Sequence, residues 1–160
     1  MFLDFLERVQ NKASSLYARL GDRQLLNEKE LLLTLNQHFS KACLIQTTVL
    51  GGPIVRQLHL LASTSVLISV SGSGSHMMMW LPDGATSIQI LHPTHGDVNQ
   101  KLCSMTDKIF CKKVSSRFPH NISIPDSQPL QSGLPVIVDL SELCEAISGT
   151  LRVYNAQLPG

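Results

Sequence analysis

The sequence predicts an α/β domain with a mostly parallel sheet and helices on both of its faces. Three observations carry that expectation. Strand-like runs alternate with helical patterns between residues 15 and 91, the order that βαβ units produce. Residues 65–70 form a mostly apolar run, as a central parallel strand covered on both faces requires. A small-residue turn, Ser71-Gly72-Ser73-Gly74-Ser75, follows that run and leads to a short helix, a Pro82-Asp83-Gly84 stop and another strand. In α/β proteins such a turn is where backbone amides and a helix N-terminus converge on phosphate-bearing ligands.

The elements can be justified in order. Residues 2–12 put Phe2, Leu3, Phe5, Leu6 and Val9 on one helical face. Residues 15–20 read as a short strand, broken by Gly21-Asp22. Asn27 suits an N-cap, and Glu28 and Glu30 suit a first helical turn. Leu31, Leu32, Leu35 and Phe39 mark the apolar face of that helix, which is expected to reach His38. A strand over 42–49 comes next, then Gly51-Gly52-Pro53, which turns the chain and opens a helix over 53–62. Beyond Leu91 the pattern weakens. Residues 92–107 read as loop or short helix, 108–114 as a strand, 117–135 as a surface wrap, and 135–140 as a short strand. Ser141 then caps a helix that runs to Ile147, with Gly149 as its stop. The expected organisation is a single Rossmann-like domain over 1–160: a linking helix at 1–14, a βαβ core at 15–91 and a loop-rich extension at 92–160.

Composition narrows the class. A chain of 160 residues is the size of one domain and can bury a core without metals or disulfides. With 43% hydrophobic and 16% charged residues, it is a folding sequence rather than a disordered one. The net charge is +1 with no basic block, so no nucleic-acid partner is expected. Lys101, Lys108, Lys112, Lys113 and Arg117 read as a solvated face. The cysteines Cys43, Cys103, Cys111 and Cys144 form no C-x-x-C pair, and no metal is expected. Cys43 and Cys144 lie in apolar segments and read as core residues. Cys103 and Cys111 pair if the chain is secreted and are otherwise free thiols. His92 and His95 flank Pro93 and read as a loop pair rather than metal ligands.

The sequence contains no transmembrane run, and its first residues lack the positive region of a signal peptide. Either the protein is cytosolic or this chain is a piece of a longer one. Asn121-Ile122-Ser123 is a glycosylation sequon, relevant only on the secretory route.

Spacing excludes several chemistries at the glycine turn. Gly72-x-Gly74-x-x-Met77 lacks the third small residue of a dinucleotide fingerprint, and Gln89 stands where an acid would hold a ribose. Neither a P-loop nor a nucleophile elbow is present. The glycines permit close approach of a ligand, and Ser73 or Ser75 can cap the following helix. His76 can donate to a phosphate or sugar oxygen, or simply face solvent. A plain tight βα turn accounts for the same residues. Met77-Met78-Met79-Trp80 reads as core rather than ligand site.

Three blocks resemble glycosyltransferase family 61, which includes secretory-pathway N-acetylglucosaminyltransferases and plant xylosyl- and arabinosyltransferases. The first is Leu16-Tyr17-Ala18-Arg19, then Arg23-Gln24-Leu25-Leu26-Asn27-Glu28-Lys29-Glu30-Leu31, similar to the family's arginine-ended strand and Arg-x-Leu-x-Asn-Glu-x-Glu-Leu. The second is the helix-then-strand segment from Gln57 to Val70. The third runs from Ser71 to His76, then Trp80-Leu81-Pro82-Asp83-Gly84-Ala85 and Ile88-Gln89-Ile90. It resembles His-Gly-Ala-Gly-Leu-Thr, Phe-Leu-Pro-x-Gly-Ala and Ile-Glu-Leu. The resemblance runs over residues 2–91, with a weaker echo from Val136 to Ile147. Ser71 stands in place of the family's histidine and Gln89 in place of its glutamate.

The resemblance implies a GT-B-type architecture of two facing Rossmann-like domains, of which this chain matches the C-terminal, donor-binding half. An N-terminal half-domain would be its partner and would supply much of the acceptor site. The implied donor is a nucleotide sugar, UDP-linked, acting as substrate without a further cofactor, and the acceptor is a glycan or protein. Backbone amides of Gly72, Ser73, Gly74 and Ser75 would hold the pyrophosphate, with Ser71, His76 and Gln89 beside it. Arg19 and Arg23 would balance charge on the leaving diphosphate. No side chain is assigned as catalytic base. If the chain is part of a longer family member, the ER or Golgi lumen is the expected compartment. The alternative is a degenerate, non-catalytic sugar-nucleotide-binding or interaction module.

Overall fold

The computed structural model describes residues 13–19, 25–49, 53–93, 100–105, 108–120 and 134–157. The helix expected over 2–12 lies outside them. The strands are β1 (Ala13–Arg19), β2 (Cys43–Val49), β3 (Val66–Val70), β4 (Thr86–Ile90), β5 (Phe110–Val114), β6 (Ser116–Arg117) and β7 (Ile137–Val138). The α-helices are α1 (Glu28–Phe39), α2 (Ile54–Ala62), α3 (Gln100–Ser104) and α4 (Leu140–Gln157), and a 3-10 helix covers Ser73–Trp80. β1 to β5 form one sheet in the order β2-β1-β3-β4-β5, and every pairing in it is parallel. This is the expected Rossmann-like, doubly wound arrangement.

Alternation along the strands sorts the cores. Val66 and Ile68 of β3 and Ile88 and Ile90 of β4 pack with Leu31, Leu35 and Phe39 of α1 and with Leu143, Ile147 and Leu151 of α4. On the other face, Leu67 packs with Leu61 of α2, Met78 of the 3-10 helix and Leu81, and with Leu102 and Cys103 of α3. β3 is therefore buried from both sides, as its apolar run requires. The Pro82-Asp83-Gly84 stop is a real turn. Gly84 has φ of 82°, a left-handed value that glycine adopts at least cost, and its amide donates to Lys108 O at 2.7 Å.

Several expectations are corrected. Asn27 does not cap α1 with its side chain. It is turned instead toward β7, where its Nδ2 donates to Val138 O (3.0 Å) and its Oδ1 accepts from Val138 N (3.1 Å). Two bonds to the main chain of β7, which pairs antiparallel with β6 on its other side, outweigh one cap bond. Leu25 forms an isolated bridge with Val136 just before it, so residues far apart in sequence are joined at this point. α4 is capped by Asp139, whose Oδ1 accepts from Glu142 N (3.0 Å), and not by Ser141.

Gly149 does not stop α4, which continues to Gln157. Burial of Ile147, Thr150 and Leu151 against the sheet offsets the roughly 1 kcal/mol cost of an interior glycine. The glycine also makes room for Lys112, because a Cβ at position 149 would lie 3.0 Å from Lys112 Nζ. Lys112 is half-buried rather than solvated, and its ammonium donates to Ala146 O at 2.9 Å. Met77 to Trp80 also divide: Met78 is fully buried, while Met79 and Trp80 are exposed.

Asn27→Ala removes both bonds to Val138 and leaves a part-buried amide and carbonyl unpaired. It is expected to lower stability by about 1–3 kcal/mol in urea unfolding.

Candidate functional site

In an open parallel sheet, ligands settle outside the carboxyl ends of the strands, where the strand order reverses. Here the reversal lies between β1 and β3, because the chain steps from β1 to β2 on one side and then returns to β3 on the other. Ala18 pairs in register with Ser69, and Arg19 is the last residue of β1. The end of β1 therefore stands next to the end of β3, and the glycine turn follows directly.

Within that turn, Ser71 and Gly72 are buried. Ser71 N donates to Ile90 O at 2.8 Å, so its amide belongs to the sheet rather than to a ligand. Ser73, Gly74 and Ser75 open the 3-10 helix, whose first amides lack intrahelical partners by construction. His76 is exposed on that helix. The side chains of Arg19, Ser73 and Ser75, and the whole of Arg23, lie outside what the structure describes.

Gln89 is brought into the same region from β4, but from beneath. It is 1% exposed. Its Nε2 donates toward Met78 Sδ (3.4 Å) and Cys103 Sγ (3.7 Å), while its Oε1 has no partner. Ser69 and Ser87, which sequence reasoning passed over, share its sheet face and are equally buried. Their signal was available: Ser69, Ser87 and Gln89 stand next to Ile68, Ile88 and Ile90 as polar alternates along β3 and β4.

Cys103 and Cys111 form a disulfide with Cα atoms 6.0 Å apart. It pins α3 to β5 and so holds the short helix over Gln89. Cys43 is buried as expected. Cys144 is half-buried, and burial pushes its thiol pKa up, which opposes the thiolate a nucleophile needs. His92 is buried, donates through Nε2 to Leu134 O (3.2 Å) and meets Phe118 edge-on, a packing role. His95 lies outside the described residues. Among the described residues no group of three His, Cys, Asp or Glu side chains is placed to hold a metal, and no helix is long and apolar enough to cross a membrane.

Two hollows lie among the described residues. The larger, 640 Å³, lies between α1 and α4 and is lined by His38, Cys144, Glu145 and Arg152, on the sheet face opposite the 3-10 helix. The smaller, 380 Å³, lies where the N-termini of α1 and α4 meet the residues after β5, and Arg117 and Glu30 line it. It shares the carboxyl-end rim with the glycine turn, two strands and so about 10 Å away.

The sheet order and the turn at its reversal define a Rossmann-like domain of the kind that binds ligands at its carboxyl rim. The family model described as Glycosyltransferase 61 matches residues 5–88, just over half of the 160 residues, and the chain belongs to that family. The activity of that family is, in general, glycosyl transfer, which requires a donor and an acceptor. No curated protein matches the chain.

Reduction of the Cys103–Cys111 bridge, which closes a loop of separation 8, is expected to cost about 2.5 kcal/mol by chain entropy. The check is thermal unfolding with and without a dithiol, against Cys103→Ser as control.

Proposed function

We propose that the chain is the donor-binding half of a family 61 glycosyltransferase and holds the diphosphate of a UDP-linked sugar at the rim between β1 and β3. The observation that carries this reading is the strand-order reversal, which sets the end of β1, with Arg19, beside the glycine turn that follows β3. The amides at the start of the 3-10 helix point a partial positive charge at a bound diphosphate. Arg19 and Arg23 add guanidinium groups, whose planar fork suits phosphate oxygens. Stabilising charge on the departing nucleotide is the contribution such a half-domain makes to the transition state. The hollow lined by Arg117 and Glu30 offers room on the same rim for the rest of the donor.

The acceptor, a glycan or protein, would be held largely by an N-terminal half-domain in a GT-B-type arrangement. The disulfide supports an oxidising compartment such as the ER or Golgi lumen.

A second reading, a non-catalytic module, is supported by Ser71 and Gln89. Both depart from the family residues they resemble, and both are buried, so neither presents a side chain to a ligand at the surface.

Titration calorimetry with UDP and UDP-sugars separates the two. UDP binding that weakens about 10- to 100-fold in Arg23→Ala, and is lost when Gly74 is replaced by tryptophan, supports the donor site. Binding unchanged by both substitutions overturns it. Glycosyl transfer that appears only when the N-terminal half-domain is supplied favours the enzyme over the module.

A further inference from the structure

The two faces of the central strands differ in chemistry. Toward α1 and α4, β3 and β4 present Val66, Ile68, Ile88 and Ile90. Toward the 3-10 helix, the alternate positions near the carboxyl ends are Ser69, Ser87 and Gln89, which are 2%, 0% and 1% exposed. Register pairs Ser69 with Gln89, and Ser87 lies two residues before Gln89 on the same face, so the three form one small patch. Ser69 Oγ, Ser87 Oγ and Gln89 Oε1 all lack a hydrogen-bond partner. Among the described residues, the other end of the Gln89 amide meets the sulfurs of Met78 and Cys103, which are weak acceptors.

Folded proteins pair nearly all buried polar atoms, with protein or with ordered water. Three orphans in one patch are costly if the patch is dry. The side chains around them are small or pliable. Two serines stand where valine or isoleucine would fill the layer, and the roof above them is a flexible methionine and a half-cystine. A chain of this length holds about six buried waters, at one per 27 residues or so.

We propose that Ser69, Ser87 and Gln89 form an internal hydration site, in which ordered water beneath the 3-10 helix accepts from both serine hydroxyls and donates to Gln89 Oε1. The water fixes the orientation of the amide, with its oxygen inward and its nitrogen toward Met78 and Cys103. This inference does not depend on the donor reading, since it requires no sugar nucleotide.

The test is water-to-protein cross-relaxation in NMR of the folded chain, with assigned signals from Ser69, Ser87 and Gln89. Cross-peaks from a long-lived water at these residues are expected, and they should vanish in Ser87→Val, which fills the space. Their absence from the wild-type protein overturns the proposal, whether or not any variant folds. Unfolding temperatures give a second readout. Ser69→Ala and Ser87→Ala should each lower it, because each strands the water, and the triple Ser69→Ala, Ser87→Ala, Gln89→Met variant should recover part of the loss. If both single variants instead match or raise the wild-type value, the patch is dry and the proposal fails.

Discussion

A parallel sheet has no face it can leave to water, because the connection between each pair of strands crosses one face or the other. In this protein β3 bears that constraint. It pairs with β1 on one side and β4 on the other, and Val66 to Ser69 are buried throughout. Covering it demands two layers: α1 with α4, and α2 with the 3-10 helix and α3. Once both layers are present, every loop that leaves a strand of the sheet emerges at the same rim. The placement of the glycine turn at that rim is thus a consequence of how β3 is covered.

The layers are completed from far along the chain. The family match ends at residue 88, inside β4, yet β4 needs β5 as its neighbour and α4 as its cover. The segment that supplies them is anchored by Asn27, which binds both main-chain groups of Val138. A second anchor is Glu142, whose carboxylate accepts from Ser115 N at 2.8 Å. These contacts close the carboxyl-end rim around the N-termini of α1 and α4, where the smaller hollow forms. Residues beyond 92 read from sequence as a loose extension, but they finish the sheet and its core.

The two layers are built from different materials. The α1–α4 side is an apolar core reached at its edge by the half-buried Lys112, whose ammonium is hydrogen-bonded to the carbonyl of Ala146. The opposite side is thinner. A 3-10 helix of eight residues is unusually long for that conformation, α3 is one short turn, and a disulfide supplies restraint that packing alone would give a longer helix. The thin side lies under the residues proposed to hold the donor. A layer with fewer apolar contacts opens at lower free-energy cost, which suits a ligand-binding edge.

The sequence by itself determined the fold class, the order of elements from β1 to β4, and the family. These rest on local periodicity, turn residues and short motifs, which act through neighbours a few positions apart. Pro82-Asp83-Gly84 is an example: its turn needs a left-handed residue, and the glycine states it. Only the tertiary structure decided the direction in which polar side chains point. Asn27 carries the pattern of a helix cap and Gly149 that of a helix stop, but Asn27 is drawn to Val138, 111 positions away, and the helix runs on past Gly149 because Ile147, Thr150 and Leu151 are buried. Gln89 reads as a residue that faces a ligand, yet its alternation with Ile88 and Ile90 turns it under the 3-10 helix, beside Ser69. Burial and long-range hydrogen bonding choose among side-chain orientations that local sequence leaves equal in energy.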